Sequence, residues 1–233
     1  ELGGKNAGVV FADADFDAAV DGIARSTFAN CGQVCLGTER VYVQRPLFER
    51  FVEALAARAK ALKPGLPADA ATGIGPMVSR QQRDKVLGYY QRAKALGANI
   101  VSGGGVPAMP DEYANGYWIE PTLWTGRPED SPIIREEIFG PCAHLRPFDD
   151  EDEVIALAND TPYGLCTTVW TQGAARAHRV AEKIDVGITW VNCWFLRDLR
   201  TSFGGAKHSG IGREGGVHSL EFYTELRNVC LKL

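Results

Sequence analysis

The chain has 233 residues, 45% hydrophobic and 23% charged, with a formal net charge of −4. That mix suits one globular domain with a real core, and the mild acidity excludes the basic footprint of a nucleic-acid-binding surface. No apolar run nears the roughly 18 residues of a membrane span, and no charged and apolar leader opens the chain, so neither a membrane anchor nor a signal peptide is expected.

From Ala14 to Asn30 apolar residues recur at helical spacing, with Asp13 or Asp15 as the cap. "ERVYVQ" (Glu39 to Gln44) reads as a β-branched strand. Pro46 opens a second helix to about Leu62, at the one helical position that tolerates proline. "KPGLPADAATGIGP" is a loop. A third helix is expected from Arg80 to about Leu96, ended by Gly97, and "ANIVSGG" is a short strand and turn. Val106 to Gly116 is loop-like. Strands are expected near Tyr117 to Trp124 and Ala143 to Phe148, then a helix from Asp149 to Asn159. "GLCTTVWT" (Gly164 to Thr171) reads as a buried strand, Gly173 to Ile184 as a helix and "GITWVN" (Gly187 to Asn192) as a strand. Thr224 to Leu233 alternates like one more strand. Strands separated by helices predict an α/β fold, a parallel-rich sheet with helices on both faces.

Six cysteines, Cys31, Cys35, Cys142, Cys166, Cys193 and Cys230, include no CxxC pair. They are expected to be reduced cysteines of a cytoplasmic protein, four of them buried. Cys31 and Cys35 are four apart, but no second ligand pair accompanies them, so no metal site is expected. "GIGREG" (Gly210 to Gly215) matches GxGxxG in letters only. No hydrophobic strand precedes it and no acid follows at the distance a ribose needs, so it is not read as a dinucleotide loop.

"FANCGQVCLG" (Phe28 to Gly37) is the stretch most suited to chemistry. A cysteine in a turn of small and polar residues can be exposed, with free backbone N–H groups facing a developing oxyanion. The same composition also fits a buried structural cysteine.

Four motifs in order, "ELGGK", FxxxGQxC (Phe28, Gly32, Gln33, Cys35), "EEIFGP" and "FGGxKxSGxGRE", resemble the aldehyde dehydrogenase superfamily. The likeness covers the whole chain. Its tail, "WFLRDLRTSFGGAKHSGIGREGGVHSLEFYTEL", is similar more narrowly to the hydroxymuconic and aminomuconic semialdehyde dehydrogenase branch. The resemblance implies NAD-dependent oxidation of an aldehyde through a thiohemiacetal and a thioester on Cys35. Glu1, 34 positions before Cys35, would be the general base that activates water, a role suited to a partly buried carboxylate. It also implies Glu137 and Phe139 as cofactor-binding residues at the nicotinamide ribose and ring, Phe203 at the substrate mouth and Glu214 as a proton relay. The Cys35 backbone N–H would be one oxyanion donor. The domain expectation is a catalytic domain over 1–220 and an oligomerisation strand over 221–233, with the NAD-binding domain upstream of this chain, which alone would be inactive. A homo-oligomer, dimer or tetramer, is expected.

Arg197 and Arg200 in "LRDLR" suit a carboxylate-bearing semialdehyde, because a guanidinium grips a carboxylate with two bonds. Arg197 is the expected grip, although Asp198 could instead neutralise either arginine. Two other readings stand beside the dehydrogenase: a cysteine-dependent thiol hydrolase with a base among His144, His178, His208 and His218, and a truncated non-catalytic domain.

Overall fold

The computed structural model describes residues 1–233. In chain order the elements are β1 (Asn6–Val10), α1 (Phe16–Phe28), β2 (Thr38–Gln44), α2 (Phe48–Ala61), α3 (Arg80–Ala95), β3 (Asn99–Ser102), β4 (Thr122–Thr125), α4 (Pro132–Arg135), β5 (Cys142–Phe148), α5 (Glu151–Asn159), β6 (Tyr163–Gly164), β7 (Cys166–Trp170), α6 (Ala174–Lys183), β8 (Ile188–Val191), β9 (Ala206–Lys207) and α7 (Gly216–Tyr223). Seven strands form one sheet in the order β3-β4-β5-β2-β1-β7-β8, and β6 and β9 pair separately. Only β3 runs antiparallel within the large sheet.

Local chemistry starts and stops the helices where the sequence predicts. Asp15 accepts the Ala18 N–H at 3.1 Å and caps α1, which buries Ala19, Val20, Ile23 and Phe28. Asp13 has a different partner, the Thr171 hydroxyl at 2.8 Å. Ser79 caps α3 through the Gln82 N–H, and Gly97 at φ 78° ends it in the left-handed region glycine favours. The strands alternate between two cores. Val10, Val41, Val43 and Leu145 pack under α1 and α2, while Val9, Tyr42 and Val169 pack under α5 and α6. Helices thus cover both faces of a mostly parallel sheet.

The sequence reading missed the sheet's central strand. β1 lies between β2 and β7, and all five of its residues are buried. A strand buried on both faces has no polar alternation to betray it. Its Gly8 allows α1 to approach closely, since an added Cβ would lie 2.5 Å from the Ile23 Cδ1. Three further expectations are corrected. The strand drawn from Tyr117 is confined to β4. Three cysteines rather than four are buried, Cys31, Cys142 and Cys166, while Cys35 and Cys193 are half-buried and Cys230 is exposed. Finally, α7 crosses the expected boundary at residue 221, and residues 224–233 form no strand. Ladder bonds need a facing strand, and none in this chain pairs with that segment.

Because six strands are parallel, their amino ends share one edge. Glu1, Cys35 and the Glu137–Phe139 segment lie in the connections that enter β1, β2 and β5 at this edge. Doubly wound sheets usually place their ligands at the opposite, carboxyl edge.

Candidate active site

Cys35 lies in the turn between α1 and β2. The chain leaves α1 through Asn30 and Cys31 at φ 51° and 57° and Gly32 at 65°. Gly32 is required by a close approach: an added Cβ would lie 2.1 Å from the Gly140 carbonyl oxygen. Gln33 secures the turn on its other side, its Oε1 accepting the Val78 N–H at 3.0 Å. Cys31 points inward, its thiol donating to the Gly75 carbonyl at 2.8 Å, and burial pushes its pKa up to about 11. It is the structural cysteine of the pair.

The half-buried Cys35 opens on a cleft lined also by Glu1, Gly3, Gln33, Glu137 and Phe139. Its thiol is pushed up to about 11, first by burial, then by the Glu1 charge and hydrogen bonding with Glu1. The backbone N–H groups of Cys35 and Leu36 act the other way. Neither N–H donates to any other group in the chain, so both remain available to a negative charge at the sulfur or beside it. Glu1 is exposed, with one carboxylate oxygen accepting the Gly3 N–H at 3.0 Å. The partial burial expected of it is absent from this chain.

Glu137 and Phe139 stand on the opposite wall of the cleft. Glu137 Oε1 accepts the Gly4 N–H at 2.8 Å. Its second oxygen has no partner and can accept from a hydroxyl in the cleft. Burial raises the Glu137 pKa, while the Gly4 N–H and Lys85 oppose the rise. Phe139 sits at φ 60°, a costly region for a bulky side chain. It is held there by Glu39 Oε1, which accepts the Phe139 N–H at 2.9 Å, and by Gln82, which donates to the Phe139 carbonyl at 2.8 Å. A carboxylate with one free oxygen, an adjacent cation and a flat aromatic ring fit a ribose diol and the planar ring it carries.

Several supporting residues escaped the sequence reading. Lys5 and Glu39 form a fully buried ion pair under the Phe139 loop, with Lys5 also donating to the Ile133 carbonyl and Glu39 accepting the Ile138 N–H. Asn6 spans β1 and the Cys35 turn, and Trp194 Nε1 donates to the Leu36 carbonyl at 2.9 Å. A lysine and a glutamate inside otherwise buried strand entries were the only signal available.

Of the remaining predicted residues, Phe203 and Glu214 lie in a second cleft that shares Glu1 with the first. Phe203, Glu214, Phe222 and Tyr223 line it. Phe203 and Glu214 exchange backbone hydrogen bonds of 2.7 Å in both directions, so the Gly210–Gly215 segment is one arm of a tight pairing that opens onto α7. Arg197 lies over the Phe203 ring at 4.2 Å from its centroid and donates to Glu214 at 3.1 Å. Arg200 is turned outward and paired with Asp198, as the neutralising alternative foresaw. None of the four histidines lines the Cys35 cleft. His144 is buried in β5, accepts the Arg127 N–H at 3.4 Å and is lowered to about 3 by burial and then by nearby cations. The hydrolase reading therefore lacks its base in this geometry.

The aldehyde dehydrogenase family profile matches residues 1–229. A 2-hydroxymuconic semialdehyde dehydrogenase of Pseudomonas putida is 64% identical over all 233 residues, which cover 48% of that protein. A 2-aminomuconic 6-semialdehyde dehydrogenase of a Pseudomonas species is 59% identical over the same span and share. The chain thus spans about half the length of the curated relatives it matches. Among solved structures, a betaine aldehyde dehydrogenase from Staphylococcus aureus in complex with NAD+ superposes with a TM-score of 0.93 at 41% identity, covering 96% of this chain and 44% of that one. HpcC from Thermus thermophilus gives 0.94 at 39%, covering 97% and 44%. The cysteine turn, the glutamate before β1 and the loop before β5 share one cleft in a fold common to these enzymes, and the chain belongs to the aldehyde dehydrogenase family.

Proposed function

We propose that, within a protein of its relatives' full length, this chain supplies the nucleophile and the water-activating base for NAD-dependent oxidation of a carboxylate-bearing semialdehyde such as 2-hydroxymuconic semialdehyde. One observation carries the reading: Glu1, Cys35, Glu137 and Phe139 meet in a single cleft although they are up to 138 positions apart. Cys35 adds to the aldehyde carbon as a thiolate, its proton passing to the Glu1 carboxylate that hydrogen-bonds this thiol and on to solvent, so that Glu1 is again a carboxylate for the second half of the reaction. The N–H groups of Cys35 and Leu36 face the oxyanion that forms. NAD, when bound, supplies the two-electron acceptor that this chain's side chains lack. Glu137 and Phe139 would hold it, with the free Glu137 oxygen accepting from a ribose hydroxyl. Once the Cys35 hemithioacetal has given up its hydride, Glu1 removes a proton from the water that attacks the resulting thioester, and the acid product departs with the Cys35 thiolate as leaving group. Glu214, in the cleft beside Glu1, is the continuation of that proton path to solvent.

The carboxylate preference rests on Arg197. Its bond to Glu214 joins two partly exposed side chains, at 32% and 57% exposure, and such pairs contribute only ~0–1 kcal/mol. A substrate carboxylate can displace Glu214 and take both guanidinium edges, while Phe203 keeps the guanidinium plane in place. In the full-length enzyme Arg197→Ala raises KM for an acidic semialdehyde far more than for an uncharged aldehyde; equal effects on both remove the carboxylate grip.

The same proposal includes a homo-oligomer, supported by exposed Leu220, Phe222, Tyr223, Leu226, Val229 and Leu231 near the carboxyl end, and a cytoplasmic location, supported by six cysteines without a disulfide.

A further inference from the structure

Asn6 fastens the Cys35 turn to the central strand β1. Asn6, the first residue of β1, is 4% exposed, and all of its polar capacity goes to backbone groups near the nucleophile. Its Nδ2 donates to the Cys35 carbonyl at 2.7 Å and to the Gly37 carbonyl at 2.8 Å. Its Oδ1 accepts the Cys166 N–H at 3.2 Å, which tethers the carboxamide to β7 and fixes which way the amide faces. The β1–β2 register shifts between Asn6 and Ala7, and this irregularity sits beside the fastened turn.

The Cys35 carbonyl belongs to the same peptide unit as the Leu36 N–H. A peptide unit is planar and trans, so its C=O and N–H point in opposite directions. Holding the carbonyl against Asn6 therefore aims the Leu36 N–H away from β1 and toward the cleft. The Leu36 N–H is one of the two backbone donors that favour a thiolate at Cys35, and it has no other acceptor.

We propose that Asn6 is a positioning residue for the nucleophile, acting through the Cys35–Leu36 peptide to keep the Leu36 N–H aimed at the Cys35 sulfur and at the oxyanion formed beside it. This rests on the reading of Cys35 as the nucleophile. Without Asn6 the peptide rotates freely between turn geometries, the N–H loses its aim, and the thiolate loses one charge-assisted hydrogen bond. The role is orientational, since the carboxamide reaches the far side of the peptide from the sulfur and makes no contact with substrate.

The test uses the chain itself and the pH profile of Cys35 alkylation by iodoacetamide, followed peptide by peptide by mass spectrometry. Asn6→Ala slows Cys35 alkylation at pH 8 by about tenfold and moves its midpoint up by about one pH unit, the value of one lost hydrogen bond to a charged group. Ser26→Ala is the stability control. Ser26 is buried and bonded to the Thr38 hydroxyl and the Ile23 carbonyl, so its loss lowers the melting temperature and leaves the Cys35 midpoint in place. A midpoint that moves equally in both variants, or in neither, overturns the proposal. If Asn6→Ala does not fold, Asn6→Leu, which keeps the volume and removes the donor, is read in the same way. A variant-independent check is hydrogen exchange in the unsubstituted chain: the Asn6 side-chain amide protons are protected, and exchange at the rate of a solvent-exposed amide overturns the proposal. The nucleophile reading fails separately, if Cys35→Ser retains turnover in the full-length enzyme.

Discussion

Replacing Glu1 by glutamine removes a charge beside Cys35 while nearly preserving shape, and it separates two roles of that carboxylate. The Cys35 thiol stands at about 11 against an ordinary value of 9.0, with burial the first cause and Glu1 the second and third. At pH 8 a thiol at 11 is about 0.1% thiolate, and one at 9.0 is about 9%. The whole displacement therefore corresponds to about a ninetyfold loss of reactive form. Burial survives the substitution and solvent screens the half-exposed thiol, so Glu1→Gln recovers only part of that range. Iodoacetamide labelling of Cys35 at pH 8 is expected to accelerate by at least several-fold, with its midpoint shifted down. Turnover of the full-length enzyme moves the other way, because a glutamine cannot accept a proton from water. Opposite signs for alkylation and turnover mark a base that faces the nucleophile. An unchanged midpoint, or unchanged turnover, refutes the placement of Glu1.

Lys5→Met strands Glu39 as an uncompensated buried charge and should cost about 3–5 kcal/mol in urea unfolding. His144 supplies a pH dependence of known sign. Its folded value near 3 lies far below the ordinary 6.5, so the unfolded chain binds a proton that the folded one does not. Stability is full above about 6.5 and falls as pH drops toward 3, by about 1.4 kcal/mol per pH unit at most. His144→Gln should flatten that limb in pH-dependent denaturation; an identical slope in both proteins contradicts the assignment. Glu137→Gln keeps an acceptor for the Gly4 N–H but removes the charge opposite Lys85, and it should raise KM for NAD in the full-length enzyme with little change in thermal stability.

Legibility in the sequence follows the range of the interactions. The helices are readable because their caps and turns are local, as with Asp15 to Ala18 and Ser79 to Gln82. The cysteine turn and its partner glutamate are readable through the family's motifs. β1 is not, because burial on both faces erases its period. Asn6 and Glu39 are not readable either, since they act on groups 29 and 100 residues away, and their composition alone suggests solvated polar residues. The terminal alternation of 224–233 predicts a strand, and the segment forms none, because the pattern specifies a face and says nothing of the partner. Arg197 illustrates the same limit at the site: the sequence marks the guanidinium, and the structure supplies its companions, Phe203 and Glu214.

The proposed function requires the Cys35 Sγ to bear the acyl group. The most direct measurement is acid-quenched peptide mapping of the full-length enzyme during turnover with NAD and an acidic semialdehyde. The five other cysteines of this chain serve as internal controls. An acyl mass on the Cys35 peptide that is absent without NAD, together with loss of turnover in Cys35→Ser, is the result predicted. Turnover that persists in Cys35→Ser, or an acyl mass on another cysteine, contradicts it.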